Sequence, residues 1–425
     1  MKPTEAAHRY SRILISSSVS SYPAPNLVLG ERLGVLILLI LFLSIPVFSM
    51  DYGAVVGLEL NIKDLGETDF DGKFTIGPWL SLPLKEADLY ISAGIHAGYD
   101  DSFAIVPELF RLEYSARFFD SLVLRAGRIP WQDTTQFIVK GVFDGFDFTV
   151  DMGVFRIGTS ALYTGFLYKD SSYINSSPED PKDYNLDFSW SDFSGTYFAP
   201  PRFLASLYGD FPGFPYMRGQ LYAGILAQFD FSDAEEDYNT IYFLLKHTLV
   251  YEAFDLSVSG AIELEPTRTR GLRPAMAITI DGGYQLPGML KDRLSLGLRY
   301  ASGEGPYMAA FFPLIREAQG TVLRPLFSGI MLINLNYQIL LLPNLSLEFG
   351  SQYFFRTDAS TYNDPAIAHD SYALGLELDA SVMWVPFSDL SLVFGGGVFL
   401  PQTGSAMAKD TPLRWSLSLK TLFSF

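Results

Sequence analysis

Apolar and polar positions alternate with a period of two along almost the whole chain beyond residue 50. In residues 89–99, LYISAGIHAGY, Leu89, Ile91, Ala93, Ile95, Ala97 and Tyr99 fall on one face, and Tyr90, Ser92, Gly94, His96 and Gly98 on the other. In residues 110–118, Phe110, Leu112, Tyr114, Ala116 and Phe118 alternate with Arg111, Glu113, Ser115 and Arg117. The pattern recurs in residues 221–231, 254–264, 276–284, 294–300, 345–355, 372–384 and 390–400. This period predicts strands, each with one apolar face and one polar or glycine-rich face.

A soluble sandwich also alternates. Two features of the strands argue for a different closure. The segments run to about 10 residues, the length of a tilted strand that crosses a bilayer, whereas soluble strands run to about 5–6. The connectors also alternate in length. Short turns bearing Asp or Asn lie near residues 85, 118, 251, 342 and 385, and these side chains stabilise tight turns by bonding the nearby backbone. Longer polar connectors occupy 169–201, 303–324, 356–370 and 401–410.

Short turns on one rim and long loops on the other predict an all-β fold, a transmembrane antiparallel up-and-down β-barrel. The expected count is about 18 strands, within an even 16–20. The least regular segments are 74–84, interrupted by Pro78 and Pro83, and 141–150, 203–211 and 329–337. The first strand is expected near Ala54, leaving no room for an N-terminal plug.

One segment departs from the period. Residues 33–48, LGVLILLILFLSIPVF, are continuously apolar and preceded by Arg32. About 16 residues are too few for an ordinary spanning helix and suit the core of a signal peptide. Val47 and Ser49 at the −3 and −1 positions place cleavage after Ser49, giving a leader over 1–49 and a barrel over 50–425. An uncleaved anchor helix is the alternative. Residues 1–30 are long for the segment ahead of such a core and are set aside.

Composition agrees with the barrel. Charged residues make up 18%, below the usual roughly 25% of soluble domains, while aromatic residues reach 15%, mostly Phe and Tyr. Tyr99, Phe118, Tyr300, Phe355, Trp384 and Phe425 end strands, where aromatic girdles are expected. The absence of cysteine excludes thiolate catalysis, disulfides and a lipoprotein anchor. A net charge of −17 argues against a nucleic-acid partner and predicts a modest preference for cations.

The chain ends LRWSLSLKTLFSF. Leu413, Trp415, Leu417, Leu419, Phe423 and Phe425 share one face, and Arg414, Ser416, Ser418, Lys420 and Ser424 the other. This resembles the C-terminal signature of bacterial outer-membrane β-barrel proteins. The resemblance implies that Phe425, Phe423, Leu419 and Leu417 are read by the barrel-assembly machinery. Residues 122–148 resemble a porin-type pattern, a strand ending in Gly127 and Arg128 followed by a loop and an Asp144–Gly145 strand. The implied function is a porin-like outer-membrane channel for passive diffusion of small hydrophilic solutes or ions, surrounded by lipid, with monomer and homotrimer both open. Residues 169–201 are the candidate to fold inward and narrow it. The alternative is a structural or adhesin-like barrel that binds through its outer loops.

The residues expected to line the pore are Arg111, Glu113, Arg117, Arg125, Arg156, Glu263, Asp281, Arg299, Glu348, Glu377 and Asp379. The early strands supply mainly arginines and the late ones mainly acids, so closure would set a basic wall against an acidic one and create a transverse field. Scattered charges tolerated by a wet lumen are the plainer reading.

No catalytic role is expected. His96, His247 and His369 lack partners at ligand spacing, and no metal motif occurs, so neither an enzyme nor a cofactor or metal is predicted. The acidic run SSPEDPKDYNLD from Ser176 is read as a solvated loop, its spacing too irregular for a calcium site.

Overall fold

The computed structural model describes residues 50–64, 68–100, 102–177, 180, 182–213, 219–232, 238–267, 271–288, 290–358 and 371–425. The leader, its cleavage point and His369 lie outside these residues.

Eighteen strands follow in chain order: β1 (Asp51–Asp64), β2 (Thr68–Pro83), β3 (Ala87–Asp100), β4 (Ser102–Phe118), β5 (Leu122–Gln132), β6 (Lys140–Asp151), β7 (Arg156–Tyr163), β8 (Arg202–Phe211) and β9 (Gly219–Asp230), then β10 (Thr240–Tyr251), β11 (Phe254–Thr267), β12 (Gly271–Gln285), β13 (Arg293–Ala301), β14 (Ile330–Leu342), β15 (Leu345–Arg356), β16 (Ala373–Phe387), β17 (Leu390–Pro401) and β18 (Arg414–Ser424). Each is antiparallel to its chain neighbours, and β1 also pairs with β18, so the sheet closes on itself. Gly57 shows the closure, lying opposite Thr75 on β2 and Leu422 on β18. The terminal residue completes the seam: Ala54 N–H donates to the Phe425 carbonyl at 2.8 Å, and Phe425 N–H returns to the Ala54 carbonyl at 3.1 Å. The order is that of an up-and-down barrel, and closure leaves no open sheet edge.

All four irregular segments form strands. Pro78 does not end β2; pairing to β3 lapses between Ile76 and Trp79 and then resumes, because proline brings no N–H to the ladder. The outside is apolar: Ile95, Tyr99, Phe243, Leu245, Phe349, Phe394 and Leu417 all stand exposed.

One strand departs from simple alternation. A bulge in β4 places Arg111 opposite Ser92 and Leu109 opposite Ala93, with Phe110 left over. An extra residue reverses the parity of everything on one side of it. Phe110, expected on the apolar outer face, therefore turns inward, its ring centroid 5.1 Å from that of His96. Glu108 also enters the interior, as do Val106 and Ala104, which pack against the aromatic rings of an inner loop.

On the rim opposite the termini the connections after β1, β3 and β11 are short and those after β5, β7, β9, β13, β15 and β17 are longer, and two of the longer ones do not stand clear of the barrel. The described residues of 164–201 and residues 302–329 fold into the lumen, joined by the 133–139 turn. Phe137, Ile138, Ile174, Phe311, Leu314, Ile315 and Phe327 from these connections form one buried cluster with Ile129, Leu204, Tyr242, Leu332 and Phe354 of the wall. Much of the interior beside β5–β17 is thus a dry core, where the sequence suggested a polar lumen throughout. Asp133 shapes the turn: its carboxylate accepts from the backbone of Thr135, Gln136, Ile138 and Val139 at 2.6–3.1 Å.

Candidate functional site

The open part of the interior lies on the other side, between the β18–β1–β2–β3–β4 wall and the two inner loops. A cavity of about 470 Å³ sits there. A second, of about 230 Å³, shares Glu59, Asn61, Lys63, Asp71, Tyr173, Arg316 and Arg324 with the first, so the two form one passage.

The wall side follows from alternation. On β1, Glu59, Asn61 and Lys63 interleave with Leu58, Leu60 and Ile62, and β2 and β18 add Asp71 and Lys420. Cross-strand register brings these groups into a ladder. Lys420 pairs with Glu59 at 2.8 Å, Asn61 donates to Asp71 at 2.6 Å, and Lys63 lies 3.3 Å from Asp71 and 2.9 Å from Asp69.

The loop side is built from short elements. Thr164 begins the first loop and pins its two ends together, donating to the Pro200 carbonyl at 2.5 Å and accepting from Arg202 N–H at 2.8 Å. One turn of helix, α1 (Lys169–Ser172), follows, and Tyr173 ends it with φ of 54°. That left-handed conformation is uncommon outside glycine and asparagine and occurs where the surroundings enforce it. Burial pushes the Asp170 carboxyl of α1 above its ordinary range, although Tyr168 donates to it at 2.6 Å. A second short helix, α2 (Phe193–Thr196), stacks Phe193 on Tyr197 with centroids 4.5 Å apart, and Tyr197 in turn meets Tyr168 at 4.9 Å. The second loop joins the first where Ile174 bridges Ile315, and Arg316 donates to Ser176 Oγ at 2.8 Å.

The porin-type pattern has a geometric basis. Gly127 and Gly145 are direct partners across β5 and β6, as are Arg128 and Asp144. Arg128 holds Asp144 through two bonds of 2.8 Å, donates to the Leu109 carbonyl at the bulge at 2.8 Å, and reaches the Phe166 carbonyl at 3.0 Å. It also lines the larger cavity, so one guanidinium ties wall, bulge and inner loop together. Gly127 has φ of 111°, and a Cβ there would stand 2.1 Å from the Leu112 carbonyl oxygen.

None of the eleven residues singled out from the sequence lines this passage. Arg111 pairs with Glu113 at 2.6 Å and Arg125 with Asp147 at 2.8 Å, so these arginines are matched on their own wall. Arg156 pairs with Asp151 near the short-turn rim and borders a separate recess of about 280 Å³, while Arg117 and Glu348 are exposed. On the far wall, Glu263 accepts from Phe312 N–H at 2.8 Å, Glu377 accepts from Thr321 and Leu323 N–H at 2.5 and 2.8 Å, and Arg299 donates to Gln319 at 2.7 Å. These three anchor the second inner loop. Asp281 and Asp379 lie over Gly297 and Gly350, whose missing Cβ atoms leave room for the carboxylates.

One further expectation changes. Asp180, in the acidic run read as solvated, is buried against Arg202 at 2.6 Å, and Arg202 also contacts Asp230. His247 lies with Leu245, Val258 and Ile262 along an apolar groove. Among the described residues, no group of three His, Asp or Glu side chains could hold a metal.

No family model and no curated protein matches the chain. Solved structures do. Pseudomonas aeruginosa OccK2 (OpdF) superposes with a TM-score of 0.58 at 10% identity, over 89% of this chain and 98% of its own. The barrel has a porin fold. The outer membrane protein OprD from Pseudomonas aeruginosa gives 0.57 at 11% identity, over 88% and 93%, and Pseudomonas aeruginosa OccK11 (OpdR) gives 0.56 at 16%, over 88% and 96%. OccK2 has also been solved in complex with glucuronate. At these identities the likeness is one of fold.

Proposed function

We propose that this chain is a porin-like channel of the bacterial outer membrane, passing small hydrophilic solutes by diffusion and favouring anions at its constriction. The observation that carries the reading is a charged passage inside a closed, outwardly apolar barrel. A sheet can lie in hydrocarbon only when every backbone group is paired within the protein, and closure through β1 and β18 provides that pairing.

The charge of the passage opposes that of the chain. Lys63, Lys73, Arg128, Lys140, Arg316, Arg324 and Lys420 border the larger cavity, against Glu59, Asp71, Glu108 and Glu317. Seven cations against four carboxylates reverse the cation preference expected from the net charge. Charges on outer loops are screened within about 8 Å at physiological ionic strength, whereas a solute in the passage touches its lining directly. The glucuronate complex of OccK2 is in keeping with a sugar acid as one such solute.

The adhesin-like alternative is less well supported, because residues 164–201 and 302–329 are spent inside the barrel and leave less loop surface for a partner. Planar-bilayer recording of the refolded protein tests the proposal. Ohmic steps with a reversal potential on the anion side are expected under a salt gradient. A silent protein would overturn the channel, and a cation-side potential would overturn its selectivity.

A further inference from the structure

We propose that the recess between β7–β10 and the 133–139 turn is a second solute site, outside the passage, that binds a single-ring sugar acid from the short-turn side of the barrel. The proposal rests on the channel reading for its class of solute and adds a site to it.

Cross-strand register builds the recess. Lys246 on β10 lies opposite Tyr222 on β9, Tyr222 opposite Asp210 on β8, and Asp210 opposite Arg156 on β7. In the next inward-facing row, Gly224 stands between Leu244 and Tyr208. Its missing side chain admits Thr134 Oγ1 of the turn, 2.9 Å from where a Cβ would stand. Thr134 and Gln136 thus roof the recess, while Leu226 and Leu244 close its inner end as part of the dry core. The recess shares no lining residue with either cavity of the passage. Its mouth is at the short-turn rim, where Arg156 is half-exposed. Ligand pockets run to roughly 300–1,000 Å³, so about 280 Å³ takes one ring and not an oligomer.

The free groups define the ligand. Among the described residues Lys246 has no ion pair or hydrogen bond, and the carboxylates acting on it are Asp133 and Asp281. Asp133 spends both oxygens on the turn, and Asp281 stands two strands away on β12. An unmatched ammonium facing a recess calls for an acceptor, and a carboxylate gives the strongest bond. Asp210 takes one bond, from Gln220 at 2.7 Å, and has an oxygen left to accept from a hydroxyl. Lys246 and Asp210 are two strands apart, about 10 Å between Cα atoms, with Tyr222 between them. A sugar acid matches this row, with its carboxylate at Lys246, its ring on Tyr222 and its hydroxyls at Asp210. A neutral sugar leaves Lys246 unmatched. Gln136 is held at φ of 70°, a conformation that persists in a non-glycine residue only where its surroundings enforce it, often at ligand sites.

Fluorine NMR of the refolded protein labelled with fluorotryptophan tests the site. The chain has five tryptophans, of which Trp131 lines the recess, and Trp131→Phe identifies its signal. Sodium glucuronate should shift that signal saturably, and glucose should not. Lys246→Met should raise the half-saturating concentration at least about tenfold, the scale of a bond to a charged group. Gln136→Gly relieves the positive φ, leaves the strand ladder intact and should raise it about fivefold, the scale of a neutral bond. Arg316→Gln with Arg324→Gln, in the passage, should leave the titration unchanged. No shift with glucuronate, an equal shift with glucose, a wild-type titration in Lys246→Met or Gln136→Gly, or loss of the shift in the passage variant would each overturn the site. Absent conductance with the Trp131 titration intact would overturn the channel and leave the binding site standing.

Discussion

Ile174 and Ile315 meet inside the barrel as an antiparallel bridge, flanked by Asn175 N–H donating to the Leu314 carbonyl at 2.8 Å and Arg316 N–H donating to the Tyr173 carbonyl at 2.6 Å. The two residues belong to loops more than a hundred positions apart, and their contact separates the dry core from the passage. They form a non-hydrogen-bonded pair, the closer of the two antiparallel spacings. That spacing is within reach of a disulfide, and the chain has no cysteine to compete. The double variant Ile174→Cys with Ile315→Cys should therefore oxidise readily. Because the passage runs between the loops and the opposite wall, its conductance should be equal before and after reduction. A change on reduction would mean that the loops part during conduction.

Arg202 is the buried anchor of the first loop. Its side chain is 1% exposed, and those of Asp180 and Asp230 are 2% and 0%. Arg202→Met leaves two buried carboxylates without a counter-charge, and removing one partner of such a pair costs about 3–5 kcal/mol. The strand ladder should survive while the loop loosens. Limited proteolysis should cut within 164–201 in the variant first, and channel noise should rise. Unchanged proteolysis would show that the loop is held elsewhere.

Selectivity should depend on the passage residues. Arg316→Gln with Arg324→Gln removes two cations from its lining and should move the reversal potential toward cations. Neutralising Arg111, Arg117 and Arg125 together should move it less, because Arg111 and Arg125 already have carboxylate partners on their own wall. The reverse ranking under one salt gradient would restore the transverse-field picture.

Asp170 makes the docking of α1 sensitive to pH. Burial raises its folded-state pKa above the unfolded value. Such a carboxyl binds protons more readily when docked, so docking is firmest at low pH and weakens as pH rises through the folded pKa. Asp170→Asn imitates the protonated form and still accepts from Tyr168. At pH 7 it should slow hydrogen exchange in α1, whereas at pH 4 variant and wild type should converge.

Local pattern carried the barrel. Residues 89–99 and 413–425 declare their outer and inner faces through alternation alone, because side chains on a strand point to opposite sides in turn. The cross-strand pairing of Arg128 with Asp144 and Gly127 with Gly145 was half legible, since the motif was visible but its partners were not. Glu59, Asn61 and Lys63 obey the same alternation, but alternation only assigns them to the inner face and does not say which part of the interior stays open.

From its order of residues the protein determined a closed antiparallel barrel of about 18 strands with an apolar exterior. Tertiary structure alone decided where the passage lies. One extra residue at Phe110 reverses parity and brings Glu108 inward, a shift that alternation does not announce. The paths of 164–201 and 302–329 depend on contacts such as Ile174 with Ile315, formed between segments far apart in the chain. Those contacts fill one side of the lumen with a dry core, turn Glu263 and Glu377 into loop anchors, and leave the charged passage to β1, β2 and β18.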